Sequence, residues 1–473
     1  MSEKQQNSQE AFRDSLATVK PDGGRNWIYP KKVTGFFYKW RTWLSWLLLA
    51  MLFVGPFLKI DGEPLLLLNV FERKFVIFGQ VFWPQDTYIL LFLLLILFVF
   101  IILFTVVFGR VFCGWICPQT LFMEMVFRKI EYWIEGDASQ QRKLNAMPWN
   151  RKKILKKGAK FGIFSLISLL IAHTVMAYLI GIEETLETIS HPPSENLAGF
   201  MGLLFFAGIF MLVFSLFREQ VCTVVCPYGR LQGVLLDTNS INVSYDYVRG
   251  EPRGKINKKK TEEPPKGDCI DCTLCVQVCP TGIDIRNGVQ MECVNCTACM
   301  DACDEVMEKV NRPKGLIRYA SENSIKEGHQ KLITPRVMGY SAVLVLLIAA
   351  FVGLLMTRTE LSATITRFRG MTYQERTDGQ VSNLYEATFI NKTFEAQEVQ
   401  IKAVDDRYQI EANDQGHWLL EGQSKLEGRF FLVIERIDVQ EINETVTLLL
   451  LQNGEVIDEI STNFMAPLPD KNK

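Results

Sequence analysis

Eight cysteines between Cys269 and Cys303 follow one strict spacing. Cys269, Cys272 and Cys275 are separated by two-residue gaps and followed by Cys279-Pro280; Cys293, Cys296 and Cys299 repeat the pattern and end at Cys303. Two-residue gaps let three thiolates of one tight loop wrap a small inorganic cage, while the fourth ligand crosses from the other motif. The spacing therefore predicts a two-cluster bacterial-type ferredoxin. Cys269, Cys272, Cys275 and Cys303 would hold one [4Fe–4S] cluster, and Cys293, Cys296, Cys299 and Cys279 the other. Asp304 stands where a second proline is expected, which leaves all eight ligands intact. A zinc site would want two pairs with a longer gap between them, and two triplets with crossing fourth ligands do not fit that demand.

The ferredoxin motif sits in a chain of 473 residues, enough for two or three domains, with net charge −1. That charge leaves no nucleic-acid footprint. Hydrophobic residues make up 48%, and they concentrate in blocks. Uncharged runs long enough to cross a bilayer occupy 88–108, 161–182, 197–217 and 337–356. A shorter run over 43–58 is flanked by Trp40, Trp43 and Trp46, as an interfacial belt would be. The stretch 65–83 is apolar but carries Glu72, Arg73 and Lys74, and reads as an interfacial or re-entrant segment. The polar N-terminus carries no cleavable secretory signal pattern.

Basic residues flank the spans unevenly. Lys31, Lys32, Lys39 and Arg41 precede the first, and Arg110, Arg128, Lys129 and the run from Arg142 to Lys160 follow the second, whereas 183–195 holds four glutamates and no Lys or Arg. The positive-inside rule then puts the N-terminus and the ferredoxin in the cytoplasm and the C-terminus outside. The basic run reads as an orientation signal in contact with lipid headgroups. Lys258–Lys260 with Pro264-Pro265 reads as a solvated linker into the ferredoxin. All twelve cysteines lie between Cys113 and Cys303, on the side where thiols stay reduced.

Beyond Leu361 the pattern becomes alternating: Val399, Ile401 and Ala403 face one way, Gln400 and Lys402 the other. Segments 381–391, 428–433 and 444–451 also read as strands, and Asn453-Gly454 is a two-residue hairpin signal. About 110 residues of short strands suggest an immunoglobulin-like β-sandwich, with His417 on its surface and Trp418 in its core and a role in docking a partner. The fold class is thus a multi-domain membrane protein: a five-span helical bundle, an inserted two-[4Fe–4S] ferredoxin-like domain and a C-terminal β-sandwich. Its parts are a tail (1–36), a four-span domain (37–240), the ferredoxin domain (241–330), a fifth helix (337–356) and the outer domain (360–473).

A second cysteine motif occurs twice. Cys113-Gly-Trp-Ile-Cys117-Pro118 closes the second span and Cys222-Thr-Val-Val-Cys226-Pro227 closes the fourth. Four residues apart on a helix, the two sulfurs of each motif would share a face. Each proline disfavours helix at the cysteine before it and suits the first turn of a following one. Cys117 and Cys226 then stand at helix N-termini, where the dipole favours thiolate. Paired soft thiolates are redox-active and suit Cu(I). The four could meet in one metal site, hold a further cofactor, or act as two dithiol pairs. As small buried hydrophobes they would need no function, but two pairs in one context favour a site. His173 is the only histidine within a span, which excludes a bis-histidine haem in one chain; it reads as a packing residue, with a metal ligand as the alternative. Met51, Met123, Met125, Met176, Met201 and Met211 read as lipid-facing or core residues.

Taken together, the paired Cys-x3-Cys-Pro motifs, the run from Cys269 to Arg286 and the run from Met291 to Asp304 resemble the FixG/CcoG/RdxA polyferredoxins, as does the order of domains. The resemblance implies an accessory protein for assembly of cbb3-type cytochrome c oxidase in a bacterial inner membrane, with a periplasmic C-terminal domain. It implies two [4Fe–4S] clusters and reduction of Cu(II) to Cu(I), with copper as substrate or transient ligand. Cluster ligation falls to the eight ferredoxin cysteines, and a catalytic, copper-holding role to Cys113, Cys117, Cys222 and Cys226. A cytoplasmic electron donor, a copper chaperone or transporter and the oxidase assembly machinery would be its partners, besides the membrane. A narrower similarity to membrane quinol dehydrogenases suggests the alternative of a quinol-linked component feeding a periplasmic reductase. A non-catalytic scaffold or redox sensor is the third reading.

Overall fold

The computed structural model describes residues 17–468 except 21, 61, 72, 256–266, 358, 394, 413–415 and 453. The expected linker at Lys258–Lys260 and Pro264-Pro265 lies outside the described residues, as does Asn453. The chain divides into two units, Met1–Phe351 and Val352–Lys473.

Five helices of the described chain are long and apolar enough to span a bilayer: Phe36–Phe57, Thr87–Phe108, Arg151–Ile180, Leu197–Phe217 and Pro335–Met356. They expose large side chains such as Leu91, Leu94, Leu166, Phe205 and Leu346. Bare apolar helices of this length are stable in lipid, where every backbone polar group is satisfied within the helix. Between the first, third and fourth spans, Leu49, Phe122, Phe127, Phe164 and Phe214 form a common core. The Phe127 ring stacks on Phe214 at 4.4 Å and meets Phe164 edge-on at 4.7 Å.

The segment 65–83, expected as interfacial or re-entrant, contains no bilayer-length helix among its described residues. It folds as a three-stranded antiparallel sheet, Leu66–Asn69, Lys74–Ile77 and Gln80–Phe82. Alternation explains this: Leu67, Val76 and Val81 point to one buried face with Trp83 against them. The two-residue loop Phe78-Gly79 has positive φ at both positions (51° and 77°), the geometry of a tight hairpin turn.

The basic run after the second span is also not loop throughout. Arg151–Lys160 forms the first turns of the third span, and Lys153, Lys157 and Lys160 turn inward while Lys152 stays exposed. Lys153 Nζ donates to the carbonyls of Asn145 (2.9 Å) and Met147 (2.5 Å), while Lys157 and Lys160 each pair with Glu135 at 2.9 Å.

The ferredoxin segment packs on a two-stranded ribbon, Asn242–Tyr245 with Ile317–Ala320, over a core of Val243, Ile283, Ile285, Met300, Met307 and Leu316. Its Asp301 caps the first span: the carboxylate accepts from the backbone N–H groups of Phe37 (3.0 Å) and Tyr38 (2.7 Å). An anion at a helix start satisfies orphan donors and opposes the dipole. This bond holds the ferredoxin to the membrane domain.

The second unit is a sandwich of two antiparallel sheets. One has the order Gln409–Ala412, Lys425–Glu435, Gln380–Asn391, Leu361–Arg367, and the other His417–Leu420, Gln397–Ala403, Asn443–Gln452, Glu455–Met465. Tyr385, Phe389, Phe430, Leu448, Phe464 and Trp418 fill the space between them. His417 is exposed and bonds Glu398. The last hairpin closes with Gln452 opposite Glu455, and Gly454 holds φ at 84°.

Candidate metal and redox centre

Two neighbouring cavities lie inside the ferredoxin segment. One is lined by Cys269, Cys272, Cys275 and Cys303. The other is lined by Cys279, Cys293, Cys296 and Cys299. Cys275 borders both. Each cysteine triplet is coiled by left-handed residues at matching places: Asp271 and Thr273 around Cys272, Asn295 and Thr297 around Cys296 (φ 52° to 64°). Such conformations are costly for threonine and mark a loop held by what it encloses. The thiol sets, their apolar walls and the Arg286 guanidinium beside the first fit a pair of anionic cubane clusters.

The four remaining cysteines come together across the two repeats, not along one helix. In each motif the first cysteine is helical: Cys113 in Val111–Trp115, Cys222 in the π-helical turn Val221–Val225. The second is extended at the helix start, with Cys117 before Pro118–Leu121 and Cys226 before Pro227–Leu235. The following proline breaks the helix between them, which corrects the expectation of a shared helix face. Contact is reciprocal instead. Cys113 Sγ lies 3.3 Å from the amide nitrogen of Gln232, on the helix that Cys226 begins. Cys222 Sγ lies 4.0 Å from Thr120 Oγ1, on the helix that Cys117 begins. Burial pushes the Cys113 thiol up to about 11, and the charges of Cys117 and Cys226 add to the rise. Cys222 is pushed up to about 12 by burial, with Cys117, Cys113 and Cys226 again adding.

The repeats match in backbone as well. Gly109 (φ 56°, ψ −126°) and Arg218 (φ 51°, ψ −122°) make the same sharp exit from the second and fourth spans. The glycine tolerates it freely, and the arginine is strained. Arg218 is held there by a bidentate pair with buried Glu131 at 2.8 and 2.9 Å.

This centre abuts the second ferredoxin loop. Arg110 donates to the carbonyls of Met291, Cys293 and Gly229, joining that loop to both repeats. Arg41 donates to the carbonyls of Gly114 (2.6 Å) and Cys296 (3.4 Å). Trp115 Nε1 donates to Tyr319 Oη at 2.9 Å, and Tyr319 to the Asn295 carbonyl at 3.4 Å. Gly114 packs so closely that a Cβ there would sit 2.5 Å from the Val294 carbonyl. Arg41, Arg110, Gln232, Trp115 and Tyr319 carry no sequence signal of this role; the structure alone shows their contacts.

Comparison with known proteins places these features. Residues 217–322 match a 4Fe–4S dicluster domain, 90–137 a 4Fe–4S binding domain, and 351–467 an IG-like fold at the C-terminal of FixG. Protein RdxB of Cereibacter sphaeroides is 33% identical over 403 residues, which span 80% of this chain and 82% of RdxB. The chain belongs to the FixG/RdxA family. RdxA of the same organism is 32% identical over 78% of this chain and 80% of its own. Nitrogen fixation protein FixG of Rhizobium meliloti is 33% identical over 63% of this chain and 57% of its own. As a FixG/RdxA protein, the chain is an iron–sulfur electron-transfer protein with membrane-spanning helices and an immunoglobulin-like domain.

Proposed function

We propose that this FixG/RdxA protein is a cupric reductase of the bacterial inner membrane that serves assembly of cbb3-type cytochrome c oxidase. The observation that carries the reading is the meeting of Cys113, Cys117, Cys222 and Cys226 against the Cys293–Cys296 loop. Cys269, Cys272, Cys275 and Cys303 hold one [4Fe–4S] cluster in this reading, and Cys279, Cys293, Cys296 and Cys299 the other. Such clusters exchange one electron at a time, which matches the one-electron step Cu(II) + e⁻ → Cu(I). Cys272, exposed at the first cavity, marks the place where a cytoplasmic donor approaches.

The chain's own residues do the rest. Arg41 and Arg110 hold the second cluster loop against the first Cys-x3-Cys motif, so the path to the four thiols runs through packed protein. Soft sulfur surroundings favour Cu(I) over Cu(II) and help reduction. The basic residues flanking the spans favour a cytoplasmic ferredoxin, and five crossings then leave the C-terminal domain periplasmic, with a copper chaperone or transporter and the oxidase assembly machinery as partners.

The test is anaerobic purification in detergent, followed by reduction of Cu(II) with a reduced viologen as donor and a Cu(I)-specific chromophore as readout. Cys113→Ser and Cys226→Ser should lower the rate at least ten-fold with the ferredoxin signals kept. Full activity in both variants sinks the four-thiol site.

A further inference from the structure

The sequence leaves open what the four thiols outside the ferredoxin hold, and the structure narrows it. We propose that Cys113, Cys117, Cys222 and Cys226 ligate a third iron–sulfur cluster of the [4Fe–4S] class, shared between the two repeats and placed after the second ferredoxin cluster. The inference deepens the cupric-reductase reading by naming the centre that meets copper, and the two can fail separately.

Three observations carry it. The first is ligand number and spacing. The matched 4Fe–4S binding region, 90–137, contains only Cys113 and Cys117, half of what a cubane needs. The other half stands opposite, because Cys113 touches the helix begun by Cys226 and Cys222 touches the helix begun by Cys117.

The second observation is charge. Arg41 and Arg110 are 4% and 3% exposed, and among the described residues neither has a carboxylate partner. Both spend their donors on carbonyls of the second cluster loop, Gly114 and Gly229. A buried guanidinium without an anion is costly. One cluster beside the Cys293 loop supplies one anionic neighbour; a second on the Cys113 side supplies the other, with the arginines between them.

Third, Arg41 Nη2 and Arg110 Nε are buried with no hydrogen-bond partner. Most buried donors are satisfied, and inorganic or cysteinyl sulfur of a neighbouring cluster is an acceptor suited to both. A lone Cu(I) ion would bring no inorganic sulfide and leave only the cysteinyl sulfurs as acceptors.

The experiment counts iron and acid-labile sulfide in the full-length protein, purified anaerobically in detergent and reconstituted with iron and sulfide. About twelve irons per chain supports the proposal, and eight or fewer overturns it, whatever copper is bound. The variant Cys113→Ala/Cys226→Ala should lose a third of the iron and keep the paramagnetic signature of the reduced two-cluster ferredoxin. If that variant keeps the wild-type iron count, the proposal is wrong. Should it fail to fold, the wild-type count still decides. Twelve irons without Cu(II) reduction would leave the cluster standing and remove copper as its substrate.

Discussion

Cys113 Sγ and the side-chain amide of Gln232 lie 3.3 Å apart, although one belongs to the first Cys-x3-Cys-Pro repeat and the other to the helix of the second. Gln232 is fully buried, and its hydrogen bond favours the thiolate of Cys113. A hydrogen bond to a charged group contributes roughly 1.5–3 kcal/mol. Gln232→Leu should therefore lower Cu(II) reduction by about ten-fold or more while the ferredoxin signals stay unchanged. Steady-state Cu(I) formation beside a spectrum of the reduced ferredoxin checks both halves.

Proton release should accompany metal loading of the four-thiol centre. With Cys113 near 11 and Cys222 near 12 by burial, both are neutral thiols at pH 7 in the metal-free protein. A ligand must lose its proton to bind metal, so affinity rises with pH. These raised values favour the metal-free fold below a thiol's ordinary value near 9, and that contribution fades as pH rises through 11 to 12. Metal affinity measured between pH 6 and 8 should climb about ten-fold per proton displaced per pH unit. A flat profile would contradict buried, protonated thiols.

Glu131 fixes the strained exit of the fourth span. Burial works to raise its carboxyl, but Arg218, Lys160 and Arg128 outweigh that and hold it below the usual range. Removing one partner of a buried pair costs about 3–5 kcal/mol because the other charge is left uncompensated. Glu131→Gln should lower the thermal unfolding temperature in detergent clearly. Glu131→Gln/Arg218→Gln should cost less than the two single changes added together. Additive effects would mean that the pair does not act as a unit.

Close packing at Gly114 sets the distance between the first repeat and the second cluster loop. A methyl there would meet the carbonyls of Val294 and Asn295 at 2.5 and 2.6 Å, inside van der Waals contact. Gly114→Ala should force the loop away, with loss of iron or a Cu(II) reduction rate at least ten-fold lower. Gly158, on the third span, has open space around its Cβ direction, and Gly158→Ala should leave both unchanged. Equal behaviour of the two variants would show that the loop yields without consequence.

Local covalent pattern was enough for much of this chain. Five apolar runs fix the spans because bilayer thickness sets a length, and alternation fixes the strands of the C-terminal domain because side chains in a strand take opposite faces. Ligand spacing likewise made two clusters legible, since three thiolates on one loop are a local feature. Long-range geometry was not legible. The segment 65–83 became a sheet through a Phe78-Gly79 turn that its apolar composition concealed. Lys153, Lys157 and Lys160 turned from lipid toward carbonyls and Glu135 once a helix fixed their direction. Sequence by itself gave the two Cys-x3-Cys-Pro motifs and their prolines. Only the tertiary structure brought Cys113 to Gln232 and Cys222 to Thr120, and set Arg41 and Arg110 between those thiols and the Cys293–Cys296 loop. The physical reason is that proline breaks each helix between its cysteines, so their partners come from the other repeat, and packing of distant segments decides which.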